Sequence, residues 1–137
     1  MKLLYGHDKE VADWASKQFG WPLRNWYFAV GIVDNAGTLC GAASFHDLNG
    51  SNGEICFYGP GALRPSLVRE LMRFAFDGMK LHRLTAKTPR QNRQVIRALP
   101  KLGFRMEGVL KHYYGPVKRY DAVVFGLLEK DARRWIK

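Results

Sequence analysis

The chain has 137 residues, 47% hydrophobic and 13% aromatic, enough for the core of one domain and too short for two. No apolar run reaches membrane-spanning length, the stretch from Met1 to Asp8 holds no signal-peptide apolar region, and Cys40 and Cys56 are too few for a disulfide framework. Membrane and disulfide-scaffold classes are therefore set aside, and a single reduced, cytoplasmic domain over 1–137 is expected.

The net charge is +10, and it lies in one half. The first sixty residues carry four Lys and Arg against six Asp and Glu; the remaining 77 carry eighteen against six, a balance of +12. That half is expected to face something anionic unless the charge serves only as a solvated surface.

The first element is a helix over 8–19, where Val11, Trp14, Ala15 and Phe19 share a face and Gly20 can end the turn. Residues 26–33 form a continuous apolar run, as in a strand covered on both faces. Asp34-Asn35-Ala36-Gly37 turns the chain into a second strand over 39–45. Asn49 to Gly53 turns it again into a third over 54–58. This half is a helix followed by an antiparallel meander.

The rhythm then changes. Over 66–79, Val68, Leu71, Met72, Ala75 and Met79 form one stripe, with Arg69, Glu70, Arg73 and Asp77 opposite, so a strongly amphipathic helix is expected. A strand over 82–88 follows, then a helix over 91–102 with Val95, Ile96, Leu99 and Leu102 inward and Gly103 at its left-handed end. Pro100 removes a backbone donor, so this helix is expected to bend or stop near Leu99. Strands over 104–113 and 120–128 close the chain. The strand–helix–strand unit from 54 to 88 demands a parallel pair with a crossover, giving an α/β domain with a mixed sheet.

Other chemistries are poorly supported. His7, His46, His82 and His112 show no metal-ligand spacing, and Gly59-x-Gly61 continues into neither a Walker loop nor a dinucleotide fingerprint. No nucleic-acid motif appears. Cys40 and Cys56 read as small core residues.

One ordered series carries more. It runs Met72-Arg73-Phe74-Ala75-Phe76, Leu81-His82-Arg83-Leu84-Thr85-Ala86, Gln91-Asn92, Leu102-Gly103-Phe104, Glu107-Gly108 and Tyr120-Asp121. This series resembles the GNAT superfamily of N-acetyltransferases, in particular its ribosomal-protein-alanine acetyltransferase branch, over roughly 54–128. The resemblance implies a single-domain fold in which two neighbouring strands splay, here 54–58 and 83–88. It also implies acetyl-CoA as co-substrate, with no metal.

In that fold the pyrophosphate of coenzyme A takes a glycine-containing loop at a helix N-terminus. The resemblance places this loop at Phe57, Tyr58, Gly59, Gly61, Ala62, Leu63 and Arg64, with Ser66 as a possible helix cap. Taken alone, the loop is an ordinary Gly-Pro turn. Asn92 matches the family asparagine that binds the pantetheine arm or places the thioester, and could equally be a plain N-cap. Arg97 is a candidate for an outer phosphate.

Acetyl transfer needs a deprotonated amine and a protonated leaving thiol. Glu54 is the candidate base, Tyr113 and Tyr114 the candidate acids, and their alternatives are a solvated hairpin carboxylate and strand packing. Transfer by direct attack is implied, onto a primary amine, more a protein N-terminus or lysine than a drug. The rival is a degenerate, non-catalytic module of the same fold that binds an acidic protein or nucleic acid. A small-molecule amine acetyltransferase is a third, weaker reading.

The partner face in either case is Arg90, Arg93, Arg97 and Lys101, which recur at three- and four-residue spacing, with Arg64, Lys87 and Arg105 adding to that half. Pairing into a homodimer is a further expectation from the resemblance. Three features depart from the family pattern, one of them Pro100 where the helix should continue. No arginine or glutamine opens the 59–66 loop, and Val95 stands where a serine commonly follows the asparagine.

Overall fold

The computed structural model describes residues 1–19, 25–115, 117 and 119–136, the side chains of 19, 60 and 61 excepted. In chain order the elements are β1 (Lys2–Leu4), α1 (Asp8–Phe19), β2 (Trp26–Val33), β3 (Leu39–His46) and β4 (Asn52–Tyr58). A short 3₁₀ turn (Pro60–Leu63) leads into α2 (Pro65–Arg73), which continues as a π-helical turn (Phe74–Gly78). Then come β5 (Arg83–Pro89), α3 (Arg93–Lys101), β6 (Arg105–Tyr114), β7 (Tyr120–Leu128) and α4 (Glu129–Arg133). The expected Gly20 helix stop lies outside the described residues.

All seven strands form one sheet in the order β1-β2-β3-β4-β5-β7-β6. β1 to β4 run as an antiparallel meander, β4 and β5 pair in parallel, and β7 returns antiparallel between β5 and β6. The expected mixed α/β architecture is the observed one. β1, the 3₁₀ turn and α4 were not expected, being three to five residues long. Periodicity needs a longer window to show itself.

The layers follow from alternation along the strands. Along β4, Ile55 and Phe57 point to the face covered by α2 and α3, into a core with Phe45, Leu71, Met72, Leu84, Leu99 and Phe125. Tyr58 points the other way, into a smaller cluster under α1 with Val11, Ala12, Ala15, Ala29 and Ala42. Most side chains of β6 are exposed, and Arg83 and Lys87 of β5 are only partly covered. One half of the sheet thus keeps an open polar face.

Two helix ends differ from expectation. Arg64, not Ser66, is the N-cap of α2, and it makes no side-chain cap; Pro65 takes the first helical position, which suits a residue lacking an N–H. Pro100 does not stop α3 at Leu99. It sits in the last turn, where only one backbone bond is lost, and the end closes tightly through Leu102 N–H to Leu99 O (3.0 Å) and Gly103 N–H to Pro100 O (3.1 Å). Gly103 has φ of 95°, the left-handed stop expected of it, and Phe104 behind it is buried.

Candidate functional site: an opening between two parallel strands

The β4–β5 ladder is short. Pairing runs Asn52–Arg83, Gly53–Leu84, Glu54–Thr85 and Ile55–Ala86, then stops, although both strands continue for three residues. Residues 56–58 stay paired to β3 and 87–89 to β7, so each strand is held from its outer side while the inner backbone groups lack a ladder partner. Extended strands with bare inner amides suit a ligand that carries amides of its own.

Two clefts fill this opening. The first, about 540 Å³, is lined by Cys56, Phe57, Tyr58, Lys87 and Tyr114, with Val95 and Leu99 of α3 at its back. The second, about 670 Å³, continues outward past Gly59, Leu63, Asn92 and Gln94. Both volumes include space open to solvent, so the clefts are surface-accessible rather than enclosed. The structure thus brings Phe57, Tyr58, Gly59, Leu63 and Asn92 together, as the sequence suggested.

The outer mouth is built by the 59–66 loop. Gly59 has φ of 80°, and a Cβ there would lie 2.8 Å from the Cys40 carbonyl oxygen, so only glycine fits. Ala62 is buried and points into the core; its amide bonds the Gly59 carbonyl at 3.2 Å. The first amides of α2, that of Ser66 among them, have no partner within the helix and so offer donors at its start. The side chains of Arg64 and Arg97 are exposed and line neither cleft, so any contact with a ligand falls outside the opening. Asn92 occupies the N-cap position of α3 without a side-chain cap bond, so capping does not explain it.

Glu54 lies on the β4 face opposite the main core, one ladder step before pairing ends. It is not a solvated hairpin carboxylate. Its Oε1 accepts from Lys87 Nζ at 2.5 Å, with both side chains about four-fifths covered. Lys87 Nζ also reaches the Tyr113 hydroxyl at 3.5 Å and stands 5.3 Å from that ring's centre. Burial pulls the Lys87 pKa down, but the Glu54 carboxylate and Tyr113 outweigh it and hold the ammonium above its usual range. The charge of Lys87, expected to add to the basic half, is therefore already paired.

Consecutive tyrosines both reach this region because β6 is irregular. The register slips between Leu110 and Tyr114, His112 takes φ of 51°, and its N–H is held by Asp121 Oδ1 at 3.0 Å. Tyr113 lies beside Lys87, and Tyr114 lines the first cleft, edge-on to Tyr113 with ring centres 5.0 Å apart. Burial, then the neighbouring Cys56, pushes the Tyr114 hydroxyl far up, so it stays protonated.

Cys56 is not a plain core residue: it lines the first cleft. Burial pushes its thiol up to about 11, so it is present as a thiol rather than as the thiolate that a nucleophile requires. The sequence reading also missed a buried polar chain on the same face. Ser44 Oγ lies 2.7 Å from His46 Nε2 and 3.0 Å from the Tyr58 hydroxyl, and His46 Nδ1 lies 3.2 Å from the Asn25 carbonyl oxygen. The signal was present as period two: Ala42, Ser44 and His46 alternate onto the face where Cys56 and Tyr58 lie.

A sheet opened between a central parallel pair, with a helix N-terminus at its mouth, defines a ligand-binding α/β domain. The model of an acetyltransferase (GNAT) domain matches residues 5–105, and the chain belongs to the GNAT acetyltransferase family. No protein of curated function matches it by sequence.

Among solved structures, a putative phosphinothricin N-acetyltransferase is similar at 19% identity, with 93% of this chain and 97% of that one covered and a TM-score of 0.72. The F149A mutant of spermidine N-acetyltransferase SpeG from Vibrio cholerae is similar at 18% identity, covering 92% and 78%, with a TM-score of 0.68. Ribosomal-protein-S5-alanine acetyltransferase from Vibrio fischeri is similar at 23% identity, covering 79% and 63%, with a TM-score of 0.67. These likenesses establish the fold.

Proposed function

We propose that the chain moves an acetyl group from acetyl-CoA to a primary amine of a protein, an N-terminus or a lysine, by direct attack within the β4–β5 opening. The observation that carries this reading is the β4–β5 ladder ending at Ile55–Ala86, with the next three residues of each strand held to outer neighbours and not to each other. The inner backbone of 56–58 and 87–89 would hold the pantetheine arm. Gly59, Gly61, Ala62, Leu63 and Arg64 would form the diphosphate end, with Phe57 and Tyr58 binding the cofactor through their backbone where the arm leads into it. Asn92 would bond the arm at the cleft wall, and Arg97 would meet a phosphate outside it. With Cys56 held as a thiol, an acetyl-enzyme is disfavoured and direct attack fits better.

Glu54 is the carboxylate placed to take the proton of the incoming ammonium, with Lys87 and Tyr113 fixing its position. Tyr114, whose side chain lines the first cleft, would protonate the leaving sulfur. A protein acceptor is favoured over a polyamine by charge. Glu54 pairs with Lys87, Glu107 with Arg83, and Asp121 with Arg90 and Lys111, so each of these carboxylates is already matched by a cation. The exposed Arg93, Arg97 and Lys101 beside the mouth favour an acidic partner protein or a nucleic-acid-containing one. A cytoplasmic setting and a dimer remain part of this proposal.

The test is calorimetric titration with acetyl-CoA, followed by mass spectrometry of an alanine-initiated peptide, a lysine peptide and spermidine after incubation. Saturable binding and a 42-dalton gain on a peptide support the reading, that gain being the mass of one acetyl group replacing hydrogen, about 42 by composition. Absence of binding, or acetylation of spermidine alone, overturns it.

A further inference from the structure

The buried chain from Tyr58 to His46 has a fixed proton direction. The Asn25 carbonyl can only accept, so His46 Nδ1 carries the hydrogen in that 3.2 Å contact. In the neutral ring Nε2 is then the lone-pair nitrogen, and Ser44 Oγ at 2.7 Å must donate to it. Ser44 has one hydrogen, now committed, so the Tyr58 hydroxyl at 3.0 Å must donate to Ser44. The Cys56 sulfur lies within hydrogen-bonding reach of the same Tyr58 hydroxyl. The two links from Tyr58 through Ser44 both point from the cleft toward His46.

The place of this chain matters. Ser44 is 1% exposed and Tyr58 4%, both shielded from water, while Tyr58 lines both clefts and His46 is 9% exposed. One end therefore meets bound reactants and the other approaches solvent. A packing network would not need hydroxyls in this order; an apolar triad would fill the same space without buried polar groups.

Resting on the acetyltransferase reading above, we propose that Tyr58, Ser44 and His46 form a relay that takes the second proton of the acceptor nitrogen. An ammonium loses two protons on becoming an amide. Glu54 removes the first before attack and passes it to solvent. Attack forms the C–N bond and leaves a nitrogen bearing two hydrogens and a positive charge. That nitrogen gives one proton to the Tyr58 oxygen as Tyr58 gives its own to Ser44 and Ser44 its own to His46 Nε2. The C–S bond then breaks, and the sulfur takes a proton from Tyr114, which regains one from water. His46, then protonated on both nitrogens, gives its Nδ1 proton to solvent at the end of β3 and is restored to a neutral ring. Two protons leave and one returns, as the overall reaction requires.

Charged groups near the relay are Asp47, next to His46 in the chain, and Glu54, opposite it on β4 and paired with Lys87. Within this scheme Tyr58 touches the reacting nitrogen, and Ser44 and His46 act through it as positioning and relay residues.

The test compares His46→Ala, Ser44→Ala and Tyr58→Phe for turnover of the alanine-initiated peptide, with folding checked by circular dichroism. Each is expected to lower kcat about a hundredfold, the usual size of a proton-transfer contribution, with the KM for acetyl-CoA unchanged. The Ser44→Ala, His46→Ala double variant should be no slower than either single one, because the groups act as a unit. Added imidazole should restore part of the His46→Ala rate and none of the Tyr58→Phe rate, which a merely structural role would not produce. Should His46→Ala not fold, Ser44→Ala and Tyr58→Phe, which each delete one hydroxyl, decide the matter. Wild-type kcat in a folded Ser44→Ala or Tyr58→Phe variant overturns the relay while leaving the acetyltransferase reading intact. A wild-type protein that acetylates no amine removes both.

Discussion

Glu54 meets its substrate already engaged by Lys87, and that pairing decides what the residue can do. The ammonium keeps Glu54 in place and, with its pKa raised, remains charged through neutral pH. Glu54→Gln should lower kcat about a hundredfold or more with little change in acetyl-CoA affinity, read by steady-state kinetics and calorimetry. Tyr114→Phe removes only a hydroxyl from the cleft wall and should cost about tenfold or more in kcat at unchanged melting temperature.

Glu107 offers a purely electrostatic check. Arg83 grips its carboxylate with both terminal nitrogens and holds it below the usual 4.5, against a smaller opposing effect of burial. A lowered carboxylate pKa adds stability above the unfolded value, lost as pH falls through the folded value. Glu107→Gln should therefore cost about 0.2–1 kcal/mol at pH 7, because the pair is well exposed, and the difference from wild type should vanish in acid below pH 4.5. Denaturant titrations at pH 7 and pH 3 measure both ends.

At the scale of elements, the opening depends on backbone more than on side chains. Gly59 turns the chain out of β4 where any Cβ would strike Cys40, so Gly59→Ala should destabilise by about 1–3 kcal/mol and weaken acetyl-CoA binding together. Chemical denaturation and calorimetry on the same sample test the coupling.

This is also where the sequence was most and least legible. The left-handed Gly103 stop could be read directly, because a one-dimensional pattern decides it, and the apolar run of β2 marked a strand, but one covered on both faces only from Ala29 to Val33, with Tyr27 and Phe28 exposed. The strands on either side of the opening could be placed, yet where their ladder ends could not. That point is set by what β3 and β7 hold from outside. The Glu54–Lys87 pair spans 33 positions, and the joint arrival of Tyr113 and Tyr114 depends on a bulge at His112. Neither distance nor bulge leaves a periodic trace. The cap assumed for Ser66 failed because Pro65 claimed the helix start first.

Across the whole molecule, charge and shape divide the work. The cleft opens between α1, which lends Ser16 and Gln18 to its lining, and the start of α3, whose cationic side stands beside the mouth. An acidic acceptor would be drawn there, and the attraction should weaken as salt shortens the screening length below about 10 Å. Arg93→Glu combined with Lys101→Glu should raise the KM for an acidic protein acceptor at low salt and flatten its salt dependence, with a smaller effect on an uncharged short peptide.

The central claim is that β4 and β5 part to admit the pantetheine arm, and a crystal structure with acetyl-CoA tests it most directly. The account predicts the arm lying between residues 56–58 and 87–89, its amides bonded to their backbone, with the diphosphate at the 59–66 turn. Acetyl-CoA bound elsewhere, or a β4–β5 ladder that closes past Ile55 and Ala86 in its presence, would contradict it.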